Sequence, residues 1–174
     1  MRDFALKLSR ILRVLATISL WISGTGLVLM TAFIAWQVYG RFVLNDTPTW
    51  TETLSVMVMG WFIFLGAAVG IREGYHLSFD VVFHFLPRSA QKLLHSISDV
   101  VVATFAAGMI VYGMQLVIGT WSSTIPNIGI SGGFAFLALV AGGAVMFLFS
   151  LERLVRRFGG LETAHFGQEK PEHL

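Results

Sequence analysis

The chain has no cysteine, four prolines and only 13% charged residues, and several long stretches carry no charge at all. Without cysteine there is no disulfide, no thiolate metal site and no cysteine nucleophile, although that absence selects no compartment. Phosphate-binding glycine loops, an H-E-x-x-H zinc motif and a serine-hydrolase elbow are also missing, which removes the commonest enzyme signatures. The formal charge is +2, and the basic residues sit at the edges of apolar runs rather than along one face, so the chain lacks a nucleic-acid-binding footprint. What is abundant is apolar: 55% of residues are hydrophobic and the mean hydropathy is +0.73. Such a composition belongs in lipid. There the backbone must satisfy its own hydrogen bonds, leaving helices or a closed barrel, and long runs without strict alternation favour helices.

The distribution of charge predicts four crossings. After the basic opening with Arg2, Lys7, Arg10 and Arg13, residues 14–40 are uncharged. Twenty-seven residues without an A-x-A cleavage site exceed the apolar core of a signal peptide, so a retained helix is expected. A second helix over 50–72 has nineteen uncharged residues between Glu52 and Arg72. At about 1.5 Å rise per residue, that run nearly matches a hydrocarbon core of roughly 30 Å. Thr49 or Thr51 is placed to cap its start after Pro48. The 52 residues from Val100 to Leu151 hold no charge. They divide at GTWSSTIPNIGISGG, giving helices over 89–119 and 131–151. Between the second and third crossings, HLSFDVVFHFLP reads as an amphipathic interfacial helix over 76–86, too short to span before Pro87. Residues 1–158 therefore form an all-α four-helix membrane domain and 159–174 a polar tail. Eleven of twelve Lys and Arg lie in the termini and the 72–92 loop region, so both termini are expected in the cytoplasm.

Several constellations have both a functional and a plain reading. His76, Asp80 and His84 share one helical line at i, i+4, i+8 and contain metal-ligand chemistry, but no fourth ligand is evident, and a solvated helix face explains them. Asp99 is the one acid inside an expected crossing, close enough to its start to pair with Lys92 or another basic residue at the headgroups. Arg41, Asp46, Trp50 and Glu52 form either a hydrated loop with a tryptophan anchor or a cap that fixes the first two helices. Gly66–Gly70 and Gly129–Gly133 are G-x-x-x-G pairs, and Gly142-Gly143 is a flat spot for close helix packing. Broken-helix pairs, repeats and polar midplane residues, the marks of a self-sufficient secondary transporter, are scarce. The chain reads as a scaffold for something else.

The stretch from Arg41 to Asp80 resembles the small membrane subunit of tripartite ATP-independent periplasmic (TRAP) transporters. The shared features are Arg41-Phe42, Asn45, Trp50, Glu52, Leu65-Gly66-Ala67-Ala68, Arg72, Gly74, His76-Leu77 and Asp80. Thr53 departs from the pattern, because the family often has a second acid there. The resemblance implies a non-enzymatic scaffold in the bacterial inner membrane, in contact with lipids and partnered by a large membrane subunit. That partner would hold the substrate and the sodium ions, so no cofactor or metal is expected here. A periplasmic binding protein would deliver an organic acid of carboxylate or sialic-acid type. On this reading Arg41, Trp50, Glu52, Gly66, Gly70, Arg72, His76 and Asp80 serve subunit packing and anchoring, with Arg72 and Asp80 paired across the turn at Gly74. Trp121, Ser122, Ser123 and Asn127 face the binding protein. The competing readings are a haem-binding or other anchor subunit of an electron-transfer complex, and an autonomous small channel or exporter.

Overall fold

The computed structural model describes residues 2–73 and 88–158. They form helix α1 (Arg2–Tyr39), a five-residue π-helical turn (Gly40–Leu44), and helices α2 (Thr49–Glu73), α3 (Arg88–Thr120) and α4 (Gly133–Phe158). Among the described residues the only strand-like pairing is one bridge between Thr124 and Ser131. All four helices are long and apolar enough to cross a membrane. The expected interfacial helix over 76–86, the line of His76, Asp80 and His84, and the tail over 159–174 lie outside the described residues.

Two helix ends differ from the boundaries that charge alone suggests. α1 starts within the basic opening, where Leu, Ala, Lys and Arg are good helix formers. α4 continues past Leu151 to Phe158, so its last turns carry Glu152, Arg153 and Arg156. At the start of α2, Thr51 is not the cap: its hydroxyl donates to the Pro48 carbonyl at 2.6 Å from a fully buried position. The chain turns from α1 into α2 through the π-turn, which closes with the Asp46 amide on the Gly40 carbonyl at 3.0 Å. Asn45 adopts φ 52°, a left-handed conformation that asparagine tolerates. A Cβ on Gly40 would come within 2.7 Å of the Asp46 carbonyl, so glycine is required for the closure.

The helices stand in a row, in the order α1, α2, α4, α3. α2 packs on α1 and α4, α1 also touches α4, and α3 joins the others through α4. Small residues set each contact, as expected where lipid offers no hydrophobic drive. Ser23 of α1 donates to the Phe62 carbonyl of α2 at 2.7 Å. A Cβ on Gly66 would fall 2.7 Å from that same hydroxyl oxygen. Gly142 and Gly143, about 100° apart around α4, turn to opposite neighbours. Gly142 seats Phe64 of α2, and Gly143 seats Met109 and the Ala106 carbonyl of α3. The apolar core of Leu12, Ala16, Ala68, Val69, Met146 and Phe149 lies in one half of the row, toward the ends bearing Arg13, Arg72 and Arg156. We refer to these as the basic end, and to the opposite one, with Trp36, Trp50 and Trp121, as the aromatic end.

Replacing Gly142 by valine drives two methyl groups into Phe64 and should destabilise the protein by about 1–3 kcal/mol, seen as a lower unfolding temperature in detergent. Gly70→Ala is the matched control: no atom of the described residues lies within 4 Å of its Cβ, so its melting temperature should be equal or higher.

Candidate functional site

The buried charges of the described residues gather at the basic end, and α4 is their hub. Glu152 is 2% exposed and is held from both sides. The Ser9 hydroxyl of α1 donates to its Oε1 at 2.6 Å, and Arg72 Nε of α2 donates to its Oε2 at 3.2 Å. Arg72 also lies 3.9 Å from Glu73 and places its guanidinium 5.6 Å from the centre of the Phe149 ring. One residue on, Arg153 turns the other way around α4. Its Nε is 3.0 Å from Asp99 Oδ1 of α3, an ion pair by distance without hydrogen-bond alignment, and its Nη1 donates to the Ile71 carbonyl of α2. Arg156, a further turn along, donates to Ser9. Every helix thus contributes a polar group, and the chain positions joined are as much as 147 apart.

This arrangement follows from where α4 ends. Its apolar run stops at Leu151, but the helix continues, so residues 152, 153 and 156 project into the space between the last turns of the neighbouring helices. Charges there are costly unless paired, because the half-buried headgroup region solvates them poorly. Among the described residues three arginines (72, 153, 156) stand against three acids (73, 99, 152), so these six charges balance. Such a network gives little net stability against an apolar equivalent, but it fixes register: shifting any helix leaves a charge alone in a low-dielectric site. Among the described residues no three His, Asp or Glu side chains gather as a metal site.

The residues singled out from the sequence divide between the two ends. Arg72 belongs to the hub, with Glu152 and Glu73 as its described partners; the expected pairing with Asp80 lies outside the described residues, as does His76. Asp99, weighed as a headgroup acid paired with a basic residue, has Arg153 beside it. Gly66 sits in the α1–α2 contact, whereas Gly70 meets no other described residue. At the aromatic end, Arg41, Asp46 and Glu52 are exposed and form no ion pair with one another. Arg41 lies over its neighbour Phe42, and the α1–α2 link is instead aromatic, Phe33 against Trp50 edge-on at 6.0 Å. Trp121 packs on Phe134 at 5.5 Å. The loop after α3 folds over the start of α2: Asn127 Nδ2 lies 3.5 Å from the Thr49 carbonyl and 3.4 Å from Thr53 Oγ1. Ser122 and Ser123 are exposed beside it. Sequence reading missed Ser9, Glu73, Glu152, Arg153 and Arg156. The available signal was an acid and two arginines at i, i+1 and i+4 on a helix still running after its apolar stretch.

Cutting the hub at one partner leaves the other charge buried. Arg72→Met and Glu152→Gln should each cost about 3–5 kcal/mol, and the Arg72→Met/Glu152→Gln double variant should cost clearly less than their sum. Equilibrium unfolding in mixed micelles measures the coupling, and strict additivity would show that the pair is not a unit.

Comparison with known proteins gives a consistent result. The family model for the DctQ component of tripartite ATP-independent periplasmic transporters matches residues 30–160. The sialic acid TRAP transporter small permease protein SiaQ of Vibrio cholerae is 26% identical over 125 residues, 72% of each chain. The C4-dicarboxylate TRAP transporter small permease protein DctQ of Pseudomonas aeruginosa is 28% identical over 129 residues, 71% of this chain and 61% of that protein. A putative TRAP transporter small permease protein of Haemophilus influenzae is 26% identical over 136 residues, 74% of this chain and 80% of its own. The matched span takes in the end of α1, all of α2 to α4 and every charged member of the hub, and on that match the chain belongs to the DctQ component family of tripartite ATP-independent periplasmic transporters.

Proposed function

We propose that this multi-pass membrane protein is the small permease subunit of a sodium-coupled TRAP transporter, a passive wall that widens and steadies a larger subunit. One observation carries the reading: among the described residues, the buried charges lie at one end and hold the helices to each other. Solute handling then belongs to the large membrane subunit, with sodium bound there, and delivery to a periplasmic binding protein. The relatives named for sialic acid and C4-dicarboxylates favour an organic acid bearing carboxylate as the cargo. The bias of Lys and Arg puts both termini in the cytoplasm of a bacterial inner-membrane protein, the basic end inside and the aromatic end outside. The exposed surface of Asp46, Glu52, Trp121 and Asn127 then meets the binding protein.

Vesicles holding the large subunit, this chain and the binding protein should accumulate the acid down a sodium gradient, and omitting this chain should abolish uptake. Sodium-driven uptake by this chain alone would overturn the reading. The absence of native cysteine makes the orientation directly measurable. Ser122→Cys should react with a membrane-impermeant maleimide on intact spheroplasts, and His173→Cys only after permeabilisation; the reverse pattern would invert the topology.

A further inference from the structure

α3 forms one edge of the row and turns Asp99, Ala106 and Gly113 toward α4. At 100° per residue, Val101, Phe105, Gly108, Tyr112, Gln115 and Gly119 share a sector of about 80°, centred about 140° away from that contact. Phe105 and Tyr112 are 66% and 68% exposed. A Cβ on Gly108 or Gly119 would meet no described atom within 4 Å. Two members of this face are polar, and among the described residues neither Tyr112 nor Gln115 has a hydrogen-bond partner.

Depth makes that pair unusual. Tyr112 stands about 13 Å along the helix from Trp121 of the aromatic end and about 20 Å from Asp99 of the hub, and Gln115 stands about 9 Å from Trp121. A hydrocarbon core of roughly 30 Å fits between the levels of Trp121 and Asp99, with Tyr112 well inside it. Side chains on a helix tilt toward its N-terminus, which for α3 is the basic end, so both polar groups lean away from the nearer surface. The exposed threonines of the spanning segments solve the same problem locally. Thr31 and Thr104 return their hydroxyls to the carbonyls of Leu27 and Val100, four residues back, both at 2.9 Å. A phenol is held too far from its own backbone to do so. Lipid chains offer neither donor nor acceptor, so a phenol and a carboxamide left facing them are costly.

We propose, resting on the subunit reading above, that this face of α3 is the junction with the large membrane subunit. It receives one spanning helix of that subunit, which carries hydrogen-bonding side chains at the depth of Tyr112 and Gln115. Between helices in lipid, small residues allow close approach and polar side chains supply the specific bonds. Gly108 and Gly119 give the incoming backbone room on either side of the polar pair. The phenol donates one bond, and the carboxamide both donates and accepts, so the partner helix must present an acceptor and a donor together. A purely apolar neighbour, lipid included, answers neither. The place also suits the role, because an edge helix is where one wall continues into the next.

The full chain, coexpressed with the large subunit, provides the test. The photoreactive residue p-benzoylphenylalanine, placed at Phe105 on the same face but outside the polar pair, should crosslink the large subunit on irradiation. An interhelical hydrogen bond in the membrane contributes about threefold in affinity. Tyr112→Phe/Gln115→Leu should therefore raise the dissociation constant of the two subunits in detergent about tenfold, and Gly108→Leu/Gly119→Leu should raise it at least as much. The unfolding temperature of the chain alone should not fall in either double variant, because these positions face away from the described helices. A fall matching the loss of affinity would make the face part of the fold and overturn the inference. Crosslinks only to a second copy of this chain or to lipid, with the large subunit still co-purifying, overturn it and leave the subunit reading intact. Undiminished affinity in both double variants does the same. A wild-type chain that fails to retain the large subunit at all would bring down the subunit reading and this inference together.

Discussion

A helix whose apolar run ends before the helix does must put its next charges somewhere. In this protein α4 puts them between its neighbours: Glu152 against Arg72 and Ser9, Arg153 against Asp99, Arg156 against Ser9. That single constraint orders the rest. The four helices share no soluble core to define their sequence, and in lipid one apolar face is as acceptable as another. Charges that tolerate only one set of partners supply the missing register. Packing of small residues, with Gly142 on Phe64 and Gly143 on Met109, then closes the distance that the ion pairs require.

The row order explains why the two ends differ. At the basic end polar groups from α1, α2 and α3 converge on the last turns of α4, which lies inside the row and can reach all of them. At the aromatic end the links are local: Phe33 on Trp50, Trp121 on Phe134, and long contacts from Asn127 to α2. A firmly joined basic end and a loosely capped aromatic end suit a subunit that keeps its shape in the bilayer. As members of a transporter family, such subunits are components of transport machinery rather than enzymes.

Four crossings were legible because a charge-free run of about twenty residues has few other uses, and α2 was framed by Glu52 and Arg72. The helix order was not legible. Periodicity reports burial against water, and these helices are apolar all round; even α1, with only 11% of its apolar window buried, reads no differently from α4. The hub was misread for a related reason. Charge marks where a crossing ends, so Glu152 to Arg156 looked like the start of a tail, although Leu, Val, Glu and Arg sustain the helix. The sequence offered Asp80, outside the described residues, as a partner of Arg72, and could not offer Glu152, which lies eighty residues away and arrives only through tertiary packing. The role of Asp99 could be narrowed because its distance along α3 from the charged end bounded its depth, while Arg153 as its neighbour could not be guessed from spacing.

The row also has a temporal side. Helices emerge in chain order, yet α4 occupies the place between α2 and α3. Until it is made, Arg72 lacks Glu152 and Asp99 lacks Arg153, and the second and third helices lack the element that packs on both. The last of the described helices is the keystone. A ribosome that stalls before α4 leaves α1 packed on α2 but α3 without the helix that joins it to them.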